Sequence, residues 1–229
     1  MTCKLIIALI LINCLTAIGQ KNIELFGGYS LNRFHDYKND EGYYRSTYEP
    51  GKNGYSFSFG IENVRIDWLK MRLTLRYDKY DGEIEAINEK LSGGYTTQAS
   101  IDKSVISFGL FPLNFKILKK VDLNFGISAS GLIHEKFTGT SSGWSMPSNS
   151  WEYELQEEYD RFSNKIYFGL NSRIAYDFKI ADDLFISPQY QIYYGISDEF
   201  IVFPESTKSM RHYFCIGIEK IIHPKPESE

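Results

Sequence analysis

Residues 172–195, "SRIAYDFKIADDLFISPQYQIYYG", read as two alternating runs hinged on a four-residue turn. One side of the alternation carries Ile174, Tyr176 and Phe178, then Leu184, Ile186, Tyr190, Ile192 and Tyr194. The other carries Arg173, Asp177, Ser187, Gln189 and Gln191. A period of two is the mark of β-strands with unlike faces. Which face meets water decides the fold: a secreted binding barrel turns its apolar side inward, and a membrane barrel turns it outward into lipid.

Working outward with the same template gives strands at about 22–32, 55–62, 66–78, 99–117, 121–134, 165–179, 184–196 and 210–222. Connections near Asn63, Lys119 and Asp182 are tight, whereas those at 33–54, 79–98, 135–164 and 197–209 are long. Eight strands can close without leaving an edge, and alternating short turns and long loops is the layout of outer-membrane barrels, with both termini on the short-turn, periplasmic side. The expectation is an all-β protein: an eight-stranded antiparallel up-and-down transmembrane β-barrel over 20–222.

The apolar phase is free of charge along Leu25, Tyr29, Phe57, Phe59, Leu73, Leu75, Leu123, Phe125, Ile127, Phe168, Leu170, Phe214, Ile216 and Ile218, with Lys220 at its very end. Arg or Lys at a bilayer midplane costs about 2–4 kcal/mol, which explains such a run. The inside of a periplasmic, lipocalin-like binder of a small apolar ligand would exclude charge too. The opposite phase separates the two readings. It holds Gly28, Gly60, Gly126, Gly169, Gly195 and Gly217 with Ser30, Ser56, Ser58, Ser128, Ser130, Asn124 and Asn171. Small residues weaken a solvated strand surface but suit the cramped lumen of an eight-stranded barrel. That lumen is expected to hold Glu24, Glu62, Arg72, Arg76, Asp78, Asp122, Arg173, Asp177, Arg211 and Glu219, four arginines against six carboxylates, in a paired structural network.

The fourth strand mixes phases. Val105, Phe111, Leu113, Phe115 and Ile117 follow one, and Ile106, Phe108 and Leu110 the other, so a bulge is expected near Pro112.

Composition agrees with a β protein of the envelope. The 229 residues include Tyr 17, Phe 16 and Trp 3, residues favoured in strands and at membrane interfaces. The start, "MTCKLIIALILINCLTAIGQ", reads as a secretory signal peptide over 1–19, cleaved near Gly19, and residues 223–229 as a periplasmic tail. Cleavage removes only Lys4 among the charges, leaving 24 basic against 29 acidic residues, so no nucleic-acid partner is expected. It also removes Cys3 and Cys14. Cys215 is then the sole cysteine, on the inward face, and stability must come from a source other than disulfides.

The segment "VISFGLFPLNFKILKKVDLNFGISASGLI", residues 105–133, runs an apolar strand into Pro112, continues as "PLNFK", turns on lysines and returns through glycines. In this it resembles the outer-membrane β-barrel domain typical of Bacteroidota, including its porin-like and PorT-like groups. The resemblance implies an integral membrane protein of the cell outer membrane, without assigned chemistry, some relatives being linked to secretion machinery. The ending "HPKPESE" departs from the terminal aromatic common in such barrels.

No catalytic constellation is evident, so a non-enzymatic protein is expected. His35, His134, His212 and His223 have no Cys or His partner at metal-ligand spacing, and neither a metal nor a cofactor is expected. In the third loop Trp144, Trp151, Glu154 and Glu157 are the candidate contacts of a surface or envelope protein partner. The competing reading rests the tryptophans on lipid headgroups. The second loop shows a brief helical pattern before Gly93–Gly94. The functional expectation is surface interaction or an envelope-structural role, with a narrow pore or a transport or secretion component as the alternative.

Overall fold

The computed structural model describes residues 21–34, 44–51, 54–66, 69–117, 120–147, 149–155, 162–201 and 207–223. The signal segment, His35, Glu157 and residues 224–229 lie outside the described residues. Eleven strands follow one another: β1 (Lys21–Phe34), β2 (Tyr44–Pro50), β3 (Tyr55–Ile66), β4 (Leu69–Lys90), β5 (Gly93–Ile117), β6 (Val121–Ser145), β7 (Asn149–Glu154), β8 (Ile166–Tyr176), β9 (Phe178–Ala181), β10 (Leu184–Gly195) and β11 (Ser209–Ile222). All belong to one antiparallel sheet. Eight of them form a ring of pairings, β11-β1-β3-β4-β5-β6-β8-β10 and back to β11. These are the eight strands read from the alternation. No helix among the described residues is long and apolar enough to cross a membrane.

The faces of the ring follow from the period of two. In the opening segment Ile174, Tyr176, Phe178, Ile186 and Tyr194 are exposed, while Arg173, Asp177, Ser187, Gln189 and Gln191 are buried. The lipocalin-like reading with reversed faces is therefore overturned: the ring encloses its polar and glycine-bearing side. The physical reason is space. A Cβ on Gly126 would lie 2.2 Å from the Leu110 carbonyl oxygen and 2.8 Å from Phe111 Cα. Gly126 sits opposite the irregularity between Leu110 and Leu113 of β5. Across that bulge the outward phase shifts from Ile106 and Phe108 to Leu113, Phe115 and Ile117, and Phe111 is left fully buried in the lumen. The mixed phases of the fourth strand are this one extra residue. Val105, which shares a phase with Leu113 in sequence, is likewise buried.

Three connections expected to be long loops, 33–54, 79–98 and 135–164, carry strand. β4 runs to Lys90, turns at Leu91–Ser92, and returns as β5, with Lys90 paired to Gly93. β6 continues to Ser145 and is flanked by β7, and β2 pairs with the outer half of β4. The result is a five-stranded outer sheet, β2-β4-β5-β6-β7, standing on the ring. The helical pattern before Gly93 is strand because Glu83 and Glu85 face out while Ile84 and Ala86 are buried, again with period two. Ile84, Ile101, Phe137, Phe162 and Phe200 form a core behind this sheet, flanked by Tyr48 and Leu155.

Polarity inverts along β4 with no change of side-chain phase. Up to Tyr77 the outward positions are Leu73, Leu75 and Tyr77 and the inward ones Arg72, Thr74, Arg76 and Asp78. From Lys79 onward the outward positions are Lys79, Asp81, Glu83 and Glu85 and the inward ones Tyr80, Ile84 and Ala86. β6 makes the same exchange across a bulge at Ile133 that shifts its phase by one residue, passing from outward Phe125 and Ile127 to outward Lys136, Thr138 and Thr140. An outward ion pair, Lys79 to Asp102 at 2.9 Å, lies at the border.

Candidate functional site

All ten charged residues expected in the lumen are buried, none more than 8% exposed. They fall into tiers. In the middle, Glu24 is ion-paired with Arg72, and Arg173 Nη2 lies 3.8 Å from the same carboxylate. Gly60 makes this possible, since a Cβ there would stand 3.1 Å from Glu24 Oε2. Asn124 Oδ1 accepts from Arg173 Nη1 at 2.5 Å and Arg72 Nη1 at 3.3 Å, and Gln189 accepts from Arg173 Nε at 2.5 Å. Arg76 donates to Gln191, which donates onward to Asn171 at 2.7 Å, and Asn171 to Ser128 at 2.8 Å. The void among Arg76, Gln191, Asn171, Tyr193 and Tyr213 is about 10 Å³, roughly the volume that one water centre needs. Side chains fill this level of the ring.

Toward the outer sheet, Arg211 Nη2 donates to Glu199 Oε2 at 2.8 Å, Tyr167 Oη at 3.0 Å and Tyr80 Oη at 3.1 Å. Its guanidinium also faces the rings of Tyr80, Tyr167 and Tyr193 at 4.9–5.1 Å. Lys103 Nζ donates to Glu199 Oε1 at 2.6 Å and to Ser163 Oγ at 2.5 Å. Tyr213 donates to Asp78 at 3.0 Å. Glu199 belongs to the connection after β10. Burial alone would push its carboxyl up, yet Lys103 and Arg211 together hold it well below the usual carboxylate range.

At the tight-turn end, Lys116 lies 3.3 Å from Asp177 and 3.6 Å from Asp122. Asn22 Nδ2 donates to Glu219 Oε1 at 2.7 Å and Glu62 Oε2 at 3.1 Å.

The outward face of the outer sheet is a second candidate. Thr47, Glu49, Glu83, Glu85, Gln98, Ser100, Thr138 and Thr140 line a groove of about 480 Å³ on it. Nearer the tip, Glu89, Thr96, Ser142, Trp144, Ser150 and Glu152 contribute to another of about 370 Å³. Trp144 and Trp151 leave opposite faces of their hairpin, because Gly143 is the cross-strand partner of Trp151 and Ser150 that of Trp144. Trp151 stacks on Tyr153 at 5.4 Å. Glu154 is exposed on β7.

Neither a family model nor a curated protein matches this chain. Solved structures do. The chain is similar to Ail, the attachment invasion locus protein of Yersinia pestis, at 12% identity and TM-score 0.37, over 90% of this chain and 99% of Ail. It is similar to the outer membrane protein OprG from Pseudomonas aeruginosa at 10% identity and TM-score 0.34, over 90% and 97% of the two chains. It is similar to the outer membrane protein AlkL at 8% identity and TM-score 0.39, over 93% and 96%.

Sequence reasoning missed Lys103 and Glu199, which are fully buried at the centre of the outer tier. Lys103 falls in a strand whose phase is broken by the bulge, and Glu199 in a connection with no periodicity. It also missed the tyrosines Tyr80, Tyr167, Tyr193 and Tyr213, whose rings pack beside Cys215 in the lumen. Their inward position at the outer end of the ring was readable from strand phase alone. Trp144 stands eight residues beyond Lys136 on the extended β6, roughly 27 Å along the strand.

Proposed function

We propose that this protein is an eight-stranded transmembrane β-barrel of the bacterial outer membrane, non-enzymatic, that presents its outer sheet as a surface-interaction element. The observation that carries this reading is the inversion of polarity along β4, whose side-chain phase is unbroken there. A strand that keeps its phase but exchanges apolar-out for polar-out has crossed from one outside medium to another. Hydrocarbon below Lys79 and water above it account for both halves. The exposed apolar stretch of β8, Ile166 to Tyr176, spans roughly 34 Å along the strand, or roughly 26 Å upright at the usual tilt, close to the band such barrels present to lipid.

The tight turns then face the periplasm and the outer sheet faces outside. A lumen packed with paired side chains favours an interaction role over a diffusive pore. The outward rows of Glu and Thr, with Trp144 near the tip, are the contact surface in this reading, and Trp151 stands on the opposite face.

The test is extraction of the envelope fraction with salt or with detergent, followed by gel mobility of unheated and boiled samples. Detergent-dependent release with a heat-dependent shift is the expected result. An epitope tag between Leu91 and Ser92 should be reached by antibody on intact cells, and one at Asp182–Asp183 only after the outer membrane is opened. Release by salt without a mobility shift overturns the reading, and robust single-channel conductance would replace the interaction role with a pore.

A further inference from the structure

The outer sheet has two edge strands, and their backbones end differently. In β2 the N–H of Gly51 donates to the Asp81 carbonyl at 2.9 Å, so the residues that point away from β4 include its neighbour Pro50. Proline offers no N–H there, which blunts that edge. In β7 the N–H of Leu155 donates to the Gly139 carbonyl at 3.0 Å, and the same alternation turns the N–H and C=O groups of Ser150, Glu152 and Glu154 away from β6. Among the described residues β7 pairs with β6 alone, and the whole strand, Asn149–Glu154, is exposed.

The aromatic side chains of β7 leave this row clear. Trp151 leans back over β6, where a Cβ on Gly143 would stand 2.3 Å from its Cζ2, and Tyr153 stacks on it. The open edge therefore has unlike sides, with Ser150, Glu152 and Glu154 on the outward face and Trp151 and Tyr153 on the other.

The chemistry of the row selects its occupant. Two residues that exchange hydrogen bonds in an antiparallel pair put their side chains on the same face. Any residue bonded to this edge thus stands beside the acidic row, where opposite charge is favourable and like charge is not. The residues between them fall beside Trp151 and Tyr153, which suits β-branched side chains. A second copy of β7 would bring its own Glu152 and Glu154 into the same row, which disfavours self-pairing.

We propose that β7 is a docking edge for an extended cationic peptide segment of another protein. The segment adds as an antiparallel strand, with Lys or Arg at alternate positions beside Glu152 and Glu154 and β-branched residues between. Antiparallel addition continues the outer sheet, whose pairings are all of that kind. This names the partner of the surface element inferred above and rests on that reading.

The probe is the end-blocked peptide KVKVKVK carrying a fluorophore, and the readout is its anisotropy on titration with mature protein in non-ionic detergent. Binding is expected, and at least tenfold weaker for EVEVEVE, for the reordered KKKKVVV and for protein carrying Glu152→Lys. Hydrogen bonds to β7 run through the lysine residues, so N-methylation at the lysines should weaken binding at least tenfold and N-methylation at the valines should leave it nearly unchanged. Ser150→Pro, which removes an outward N–H without touching the bonds to β6, should weaken it as well. Should either variant fail to fold, the two methylated peptides decide on the wild-type chain. No binding by protein that shows the heat-dependent mobility shift, or equal binding of the two methylated peptides, overturns the docking edge and leaves the barrel standing. Absence of the shift itself overturns the barrel reading and this proposal with it. A protein that doubles in mass with concentration, and ceases to in Ser150→Pro, assigns the edge to a second copy and overturns the proposal.

Discussion

Leu170→Arg separates lipid from water outside the ring. Leu170 is 48% exposed at the middle of β8, four residues from Ile166 and six from Tyr176. Those intervals are roughly 14 and 20 Å along the strand. Its cross-strand neighbours, Ile127 on one side and Tyr194 on the other, are exposed and apolar as well. In a bilayer this position is close to the midplane, where an arginine costs about 2–4 kcal/mol, against about 0–1 kcal/mol near an interface. Tyr176→Arg supplies that interfacial comparison on the same strand. In water the expectation has the opposite sign, since replacing an exposed leucine by arginine is neutral or slightly favourable. The assay is urea unfolding of protein refolded into phospholipid vesicles, followed by gel mobility. A Leu170→Arg variant no less stable than Tyr176→Arg would refute the lipid-facing assignment.

Glu199→Gln leaves Lys103 and Arg211 buried without their shared carboxylate, and a loss of about 3 kcal/mol is expected in urea unfolding at pH 7. Because the folded state holds the Glu199 carboxyl below its ordinary value of 4.5, its contribution is fully present above that value and declines as pH falls. The gap between wild type and variant should therefore narrow below about pH 4; a gap of equal size at pH 7 and pH 3 contradicts the ion-pair account. Gly126→Ala meets backbone atoms at 2.2 and 2.8 Å and should lower stability by about 1–3 kcal/mol. Gly131→Ala, whose nearest neighbours stand at 3.9 Å, should be nearly silent, and equal effects at the two positions would remove the role assigned to the bulge.

The ring was legible because lipid-type and lumen-type residues alternate cleanly in β8 and β10, where Arg173, Ser187, Gln189 and Gln191 all fall inside. The outer sheet was not, because the cue inverts there. A search for apolar-out alternation ends at Lys79, although Glu83, Ile84, Glu85 and Ala86 continue it with the opposite sign. Lumen membership could be read from phase, but partners could not. Nothing local links Lys103 to Glu199, 96 residues away, since such pairs exist only after the ring brings distant strands face to face.

That dependence bears on how the chain is assembled. Arg211, on the last strand, finds partners at Tyr80 of β4, Tyr167 of β8 and Glu199, and β11 closes the ring against β1, from Lys21 opposite Ile222 to Phe34 opposite Ser209. Contacts of such sequence separation form late and slowly. A slip of one residue in β11 would turn Arg211, Cys215 and Glu219 outward and Phe214, Ile216 and Ile218 inward. The slipped strand would turn its own charge to the outer face among exposed apolar side chains and leave Glu199 with half its counter-charge. The lumen network thus sets an energetic penalty on any register of the final strand other than the native one.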